Sequence, residues 1–184
     1  MQMQDTALAG VKIITPKKFG DHRGFFSEVY NEATWREAGF SHRFVQDNHS
    51  LSGAAGTIRG LHFQIAPHAQ VKLVRVARGR VLDVVVDLRR SSPTFGRHVA
   101  IELSAENWAQ LLVPVGFAHG FCTLSEGAEV LYKVTDFYSA VDDRGLAWDD
   151  PDLAIAWPVT PDRAILSDKD RGWPRLRDLA QTFA

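Results

Sequence analysis

Val71-Lys72-Leu73-Val74-Arg75-Val76-Ala77-Arg78-Gly79-Arg80-Val81-Leu82-Asp83-Val84-Val85-Val86-Asp87-Leu88 is the stretch whose reading decides the fold. β-branched residues crowd both halves, and such residues suit the pleated surface of a sheet. The halves are separated only by Arg78-Gly79, a turn signal that leaves no room for a crossover helix. The stretch therefore reads as two neighbouring strands, Val71 to Ala77 and Arg80 to Leu88. Further strands follow at close spacing over His98 to Leu103, Ala109 to Val113, Phe117 to Leu124 and Ala128 to Tyr138. Ser91-Ser92-Pro93 and Glu126-Gly127 punctuate them. This rhythm indicates an antiparallel sandwich or barrel rather than βαβ units.

Upstream, Val11 to Thr15 reads as a short strand ended by Pro16, Phe19 to Gly24 as a turn, and Phe25 to Tyr30 as a strand. Asn31 can cap a helix over Glu32 to Gly39, with Gly39 as its stop. Phe44 to Asn48 is strand-like, and Ser50 to Gly56 reads as a loop leading into Arg59-Gly60-Leu61-His62-Phe63-Gln64. A short helix is expected around Leu176 to Phe183. With no internal repeat or linker, residues 1–184 are expected to form one all-β domain with short flanking helices.

Composition narrows the function classes. A formal net charge of -1 argues against a generally basic surface for nucleic acid or anionic membranes. No apolar run approaches the ~18 residues of a membrane span. The start, Met1-Gln2-Met3-Gln4-Asp5, lacks the basic and apolar regions of a signal peptide. Cys122 is the single cysteine, which excludes an internal disulfide framework and fits a reducing cytoplasm. Its apolar surroundings mark it as a buried small hydrophobe rather than a nucleophile.

Alternation along strands then sorts the polar residues. Gly60, His62 and Gln64 share one face, opposite Leu61 and Phe63. Lys72 shares a face with Val74 and Val76, and Asp83 interrupts Val81 and Val85. Val130, Tyr132, Val134, Asp136 and Tyr138 form another mixed face. A lysine among valines must be hydrated or paired. Either these faces are solvated, or they line a polar cavity inside a barrel, where small barrels hold one ligand. His119 arrives through the Pro/Gly turn Pro114-Val115-Gly116 and meets His62 in the second account.

No nucleophile elbow, P-loop or dinucleotide fingerprint occurs. A metal-binding jelly roll would carry a His-x-His pair, but in His62-Phe63-Gln64 a glutamine stands at the second position, so no metal or other cofactor is expected. The remaining inventory of histidine, lysine, tyrosine and carboxylates suits proton transfer beside a carbonyl.

Six ordered motifs complete the reading: Phe19-Gly20-Asp21-x-Arg23-Gly24-Phe25-Phe26, Phe44-Val45-Gln46-Asp47-Asn48-His49-Ser50, Arg59 to Gln64, Ser91-x-Pro93-Thr94-Phe95-Gly96, Pro114-x-Gly116-Phe117-Ala118-His119-Gly120-Phe121 and Leu131-Tyr132-Lys133. Together they resemble the dTDP-4-dehydrorhamnose 3,5-epimerases. The resemblance implies a cupin-type jelly-roll β-barrel, usually a homodimer, working without metal or cofactor. It implies a dTDP-4-keto-6-deoxy sugar substrate, inverted at carbons 3 and 5 beside the ketone. By resemblance His62 is the base, oriented by Asp170, with Tyr132 the acid and Lys72 the enolate-stabilising group. Arg59 and His119 would contact the sugar and diphosphate. Gln46 and Asn48 would line the nucleotide site, Tyr138 would stack on thymine, and Asp47, Asp143 and Lys169 would add substrate contacts. Arg23, Phe26 and Glu28 are also implied as substrate contacts, with Arg23 and Glu28 reaching the neighbouring subunit's site. Relatives that invert one carbon and a metal-dependent cupin isomerase or oxygenase are the enzymatic alternatives, and a sugar-nucleotide-binding module the non-enzymatic one.

Overall fold

The structure, a computed structural model, describes residues 1–183. Thirteen strands run in chain order: β1 (Gln2–Asp5), β2 (Lys12–Thr15), β3 (Lys18–Asp21), β4 (Gly24–Ser27), β5 (Gln46–Ser52), β6 (Ile58–Gln64), β7 (Lys72–Arg78), β8 (Arg80–Asp87), β9 (His98–Ser104), β10 (Gln110–Val113), β11 (Phe117–Thr123), β12 (Ala128–Val134) and β13 (Asp143–Gly145). The helices are short: α1 (Glu32–Glu37), α2 (Asp168–Arg171) and a 3-10 turn at Leu176–Asp178. One sheet has the order β1-β2-β10-β7-β12-β5 and the other β13-β6-β11-β8-β9, with β3-β4 a separate hairpin. All pairings within these sheets are antiparallel. The all-β reading holds, and two facing sheets make the cupin-type jelly roll.

Valines and phenylalanines at alternate positions fill the space between the sheets. Val74 and Val76 of β7, Val81 and Val85 of β8, Phe117 and Phe121 of β11 and Val130 of β12 belong to one buried cluster. Each fully buried side chain of this size contributes roughly 1.5–3 kcal/mol of transfer free energy. The outer faces are covered too. Leu61, Phe63, Val84, Val86 and Ala118 pack beneath Leu146, Leu153 and Leu179 of the C-terminal segment. Trp35 of α1, with Tyr30, Phe40 and Phe44, covers Leu73 and Leu112 on the other sheet. Burial on both faces explains the unbroken Val84-Val85-Val86 run.

Several boundaries differ from the sequence reading. β5 continues to Ser52 because its partner β12 pairs with it throughout, Ala128 opposite Ser52 and Val134 opposite Gln46. Conversely β12 stops at Val134 rather than Tyr138. The turn expected at Phe19 to Gly24 is the centre of the β3-β4 hairpin, and the expected strand Phe25 to Tyr30 ends at Ser27. β1, α2 and β13 were not anticipated. The C-terminal helix contracts to Leu176–Asp178, and Phe183 instead bridges to Arg89. Asn31 does cap α1, accepting from Ala33 N at 2.9 Å and Thr34 N at 3.3 Å.

The loop after β8 is tied by Asp87, which is fully buried. Its carboxylate accepts from Arg89 N, Nε and Nη2 at 3.0, 2.9 and 2.7 Å, and from Ser92 Oγ and Thr94 Oγ1 at 2.7 and 2.6 Å. Burial works to raise the Asp87 carboxyl, but the donors, Arg89 foremost, outweigh it and hold it far below the usual carboxylate range. Asp87→Ala should destabilise the fold by about 2–4 kcal/mol, because Arg89, Ser92 and Thr94 lose their acceptor. The wild-type stabilisation is complete above the ordinary value of 3.8 and is lost as pH falls below it. Thermal unfolding from neutral to acid pH tests this: the wild-type advantage over the variant should shrink on acidification, and a pH-independent difference would contradict it.

Candidate active site

The cavity is built where β6 and β11 come unusually close. His62 pairs with His119, whereas the next pair is Arg59 with Phe121, so Gly60 and Leu61 together face Gly120 in a bulge. Simple alternation would put Arg59 on the face opposite His62. The bulge brings both onto the inner face and leaves Ile58 with Cys122 on the outer one. Gly60 has φ +122°, and a Cβ there would lie 2.7 Å from Gly120 Cα and 2.8 Å from the His119 carbonyl oxygen. A Cβ on Gly120 would lie 2.6 Å from the Arg59 carbonyl oxygen. Neither position has room for a side chain.

A cavity of about 430 Å³ opens between the sheets, with His62, Arg59 and His119 on one wall and Lys72 and Tyr132 on the other. It adjoins a second of about 280 Å³, which shares His62, Lys72, Tyr132 and Lys169 and is also lined by Gln46, Asn48, Tyr138 and Asp143. Asp170 enters from the C-terminal segment, whose Ile165 bridges to Thr57 at the start of β6. Ser167 caps α2, accepting from Asp170 N at 3.1 Å. The buried Asp170 thereby faces inward while Asp168 is exposed.

His62 Nε2 and Asp170 Oδ1 stand 2.5 Å apart, and Asp170 is buried. Burial works to raise the Asp170 carboxyl, but the hydrogen bond and charge of His62, with Ser167 and Trp173, hold it below its ordinary value. Trp173 packs edge-on to the His62 ring at 6.0 Å, a contact for which the sequence carried no signal. Lys72, itself buried, donates from Nζ to the His62 carbonyl oxygen at 3.2 Å. Burial pushes its ammonium down to about 8, opposed by the charges of Asp143 and Asp83. Burial also raises the Tyr132 phenol, with Arg59 opposing and Asp143 reinforcing, so it stays protonated at neutral pH. The Cys122 thiol is driven to about 11 by burial, which leaves it unreactive.

Charge pairing reveals what the cavity lacks. His119 is held by both oxygens of Asp83, each at 3.0 Å, and Lys169 pairs with Asp143. Arg59 is aimed instead by neutral groups, Ser52 Oγ at 3.0 Å and the Leu51 carbonyl at 3.1 Å. Among the described residues it forms no ion pair. A fork-shaped cation positioned without a counter-charge, close to Lys72, suits an anionic ligand.

Most residues named from the sequence therefore converge: His62, Asp170, Lys72, Tyr132, Arg59, His119, Gln46, Asn48, Tyr138, Asp143 and Lys169 line the two cavities. Asp47 does not. Alternation along β5 sends it to the opposite face, where it pairs with Lys133 Nζ at 2.8 Å. Arg23, Phe26 and Glu28 also lie away from the cavities. Arg23 pairs with Asp21 on the exposed hairpin at 2.5 Å, and Phe26 is 69% exposed. Asp83 was visible as a break in a valine run without its role being legible. Among the described residues, no three His, Cys, Asp or Glu side chains come together as a metal site. Gln64 spends its amide on backbone groups of His68, Phe137 and Ser139.

A sequence profile described as dTDP-4-dehydrorhamnose 3,5-epimerase matches residues 5–178. A protein of that name from Sinorhizobium fredii is 53% identical over 183 residues, covering 100% of this chain and 93% of its own. The crystal structure of dTDP-4-dehydrorhamnose 3,5-epimerase from Bacillus anthracis with TDP and PPi bound superposes with a TM-score of 0.91 at 53% identity, covering 95% of this chain and 98% of its own. The dTDP-6-deoxy-D-glucose-3,5-epimerase from Legionella pneumophila, in complex with dTDP-4-keto-L-rhamnose, gives 0.92 at 44% identity, covering 97% and 94%.

The glycine contact supplies a direct test. Gly60→Ala should lower stability by about 1–3 kcal/mol through backbone strain and forced strand separation. Calorimetry of unfolding would read this; an unchanged melting temperature would refute the close-approach argument.

Proposed function

The chain belongs to the dTDP-4-dehydrorhamnose 3,5-epimerase family, and from that premise we propose how its cavity works. The protein is an isomerase of dTDP-rhamnose biosynthesis. It converts dTDP-4-dehydro-6-deoxy-D-glucose to dTDP-4-dehydro-L-rhamnose by inverting carbons 3 and 5. The observation that carries the mechanism is His62 on one sheet, held 2.5 Å from Asp170 of α2, facing Tyr132 and Lys72 on the other sheet.

Both carbons flank the ketone at carbon 4, so removing either proton yields an enolate on the same oxygen. With Nε2–H donated to Asp170, the other ring nitrogen of His62 takes the carbon-bound proton, and Asp170 stabilises the imidazolium that forms. Lys72 supplies positive charge to the enolate oxygen. It is preorganised, since its burial cost is met in folding rather than at the moment of reaction. Tyr132 returns a proton from the opposite face, which inverts the carbon. Each inversion leaves His62 protonated and Tyr132 deprotonated; His62 then gives its proton to solvent and Tyr132 takes one from solvent, which resets both before the next carbon reacts.

Arg59 binds the diphosphate, with His119 beside the sugar, fixed by Asp83. Gln46, Asn48 and Tyr138 take the thymidine, with Asp143 and Lys169 between base and diphosphate. Arg23, Phe26 and Glu28 serve the site of a second copy: the β3-β4 hairpin projects exposed Phe19, Phe25 and Phe26, an apolar surface suited to burial in a homodimer. The whole chain forms one epimerase domain acting in the cytoplasm, where the nucleotide sugar is made. No helix of the described residues is long and apolar enough to cross a membrane.

Proton NMR in deuterated water tests the chemistry. Deuterium should enter at carbons 3 and 5, and His62→Ala should slow both exchanges by about 10²–10⁴-fold. Exchange at one carbon would make the protein a mono-epimerase, and exchange at neither would exclude this substrate. Lys72 predicts the alkaline limb: kcat/KM should fall as pH rises through about 8, where the ammonium is lost. Lys72→Arg, charged throughout, should abolish that limb at lower activity; an unchanged limb would assign it elsewhere. The shared site predicts complementation. Co-expressed Arg23→Ala and His62→Ala chains should recover about a quarter of wild-type activity, because random pairing leaves one intact site in half the dimers. No recovery would place Arg23 in its own chain's site.

A further inference from the structure

Beyond Val134 the chain leaves the sheet, yet the segment that carries Tyr138 is held as firmly as a strand. Three glutamine amides take over from the β-ladder. Gln70 Nε2 donates to the Asp136 carbonyl at 2.8 Å. Gln64 Nε2 donates to the Phe137 carbonyl at 3.1 Å, and Gln64 Oε1 accepts from Ser139 N at 2.8 Å. Gln46 Oε1 accepts from Tyr138 N at 3.2 Å. Four consecutive residues thus have a backbone group bound to a glutamine side chain, and the three glutamines come from β5, β6 and the loop before β7.

Gln64 is the centre of this clamp. It is 4% exposed, and its second N–H reaches the His68 carbonyl at 2.6 Å. The same amide therefore ties the 65–70 loop, which supplies Gln70, to the 136–139 segment. Only an amide can do this, since the position demands two donations and one acceptance from a single side-chain end. Tyr138 needs such support because the residue is 59% exposed and its ring is approached by the Lys169 ammonium only at 5.9 Å. Its hydroxyl reaches only Asp143, at 3.2 Å.

We infer that Gln64 and Gln70 are positioning residues of the epimerase, acting through the backbone to hold the Tyr138 ring at the mouth of the cavity for the nucleotide base. The inference rests on the proposed role of Tyr138 in thymidine binding. It also accounts for Gln64 at the place where a metal-binding barrel would carry a ligand: the position serves substrate binding through the loop.

A double-mutant cycle separates this from a merely structural role. Gln64→Met removes the amide at similar volume, and Gln70→Met, on a half-buried residue, offers a milder perturbation should the first fail to fold. Measured on the dimeric enzyme, Gln64→Met should raise KM and the dissociation constant for dTDP by about tenfold, and Gln70→Met by about threefold, with the larger effect on KM than on kcat. In a Tyr138→Ala background both losses should vanish, since there is no ring left to place. Full additivity, or unchanged dTDP affinity in folded Gln70→Met and Gln64→Met, would overturn the clamp while leaving Tyr138 in place. If Tyr138→Ala alone binds dTDP normally, the reading of Tyr138 falls, and the clamp with it.

Discussion

Two backbones meet at Gly60 and Gly120 with no side chain between them, and the site depends on that contact. A strand presents alternate residues to each face, so an arginine and a histidine three apart belong on opposite sides. The extra residue of the bulge cancels this rule once. His62 and Arg59 become neighbours on the inner wall without disturbing Leu61 and Phe63, which stay in the outer core. The polar cavity and the apolar cover are thus both satisfied by a local change in register.

Around this point the barrel spends its hydrophobic surface on both sides of each sheet. That arrangement makes polar groups between the sheets unusual, and nearly every one is partnered. Asp83 holds His119, Asp170 holds His62, and Asp143 holds Lys169. Arg59 and Lys72 stand out because no carboxylate is bonded to either. The residual positive field suits the negative charge that the proposed enolate and diphosphate would bring.

Much of this was legible beforehand, for reasons that differ by residue. Val71 to Leu88 announced its strands because composition, alternation and turn agree there. Lys72 and Asp83 were visible as polar breaks in valine faces. Asp170 could be preferred over Asp168 only through the family motif; the capped turn at Ser167 supplies the physical reason. Arg59 shows the limit, since alternation alone assigns it to the wrong face and the bulge depends on contact with β11. Tyr138 was placed beside Tyr132 by extending β12 too far. The two do meet at one cavity, but through amide side chains rather than strand geometry. Asp47 failed for the opposite reason: the motif swept it in, while alternation on β5 sends it outward to Lys133.

The His62–Asp170 pair joins residues 108 positions apart. The barrel wall that holds the base is synthesised well before the segment that carries its carboxylate. Until that segment is in place, the imidazole has no Asp170 carboxylate beside it. The proposed dyad forms only when the later segment folds back across the barrel. On the proposed roles, catalysis needs this later segment in place, and the same segment brings Leu179 to the outer core.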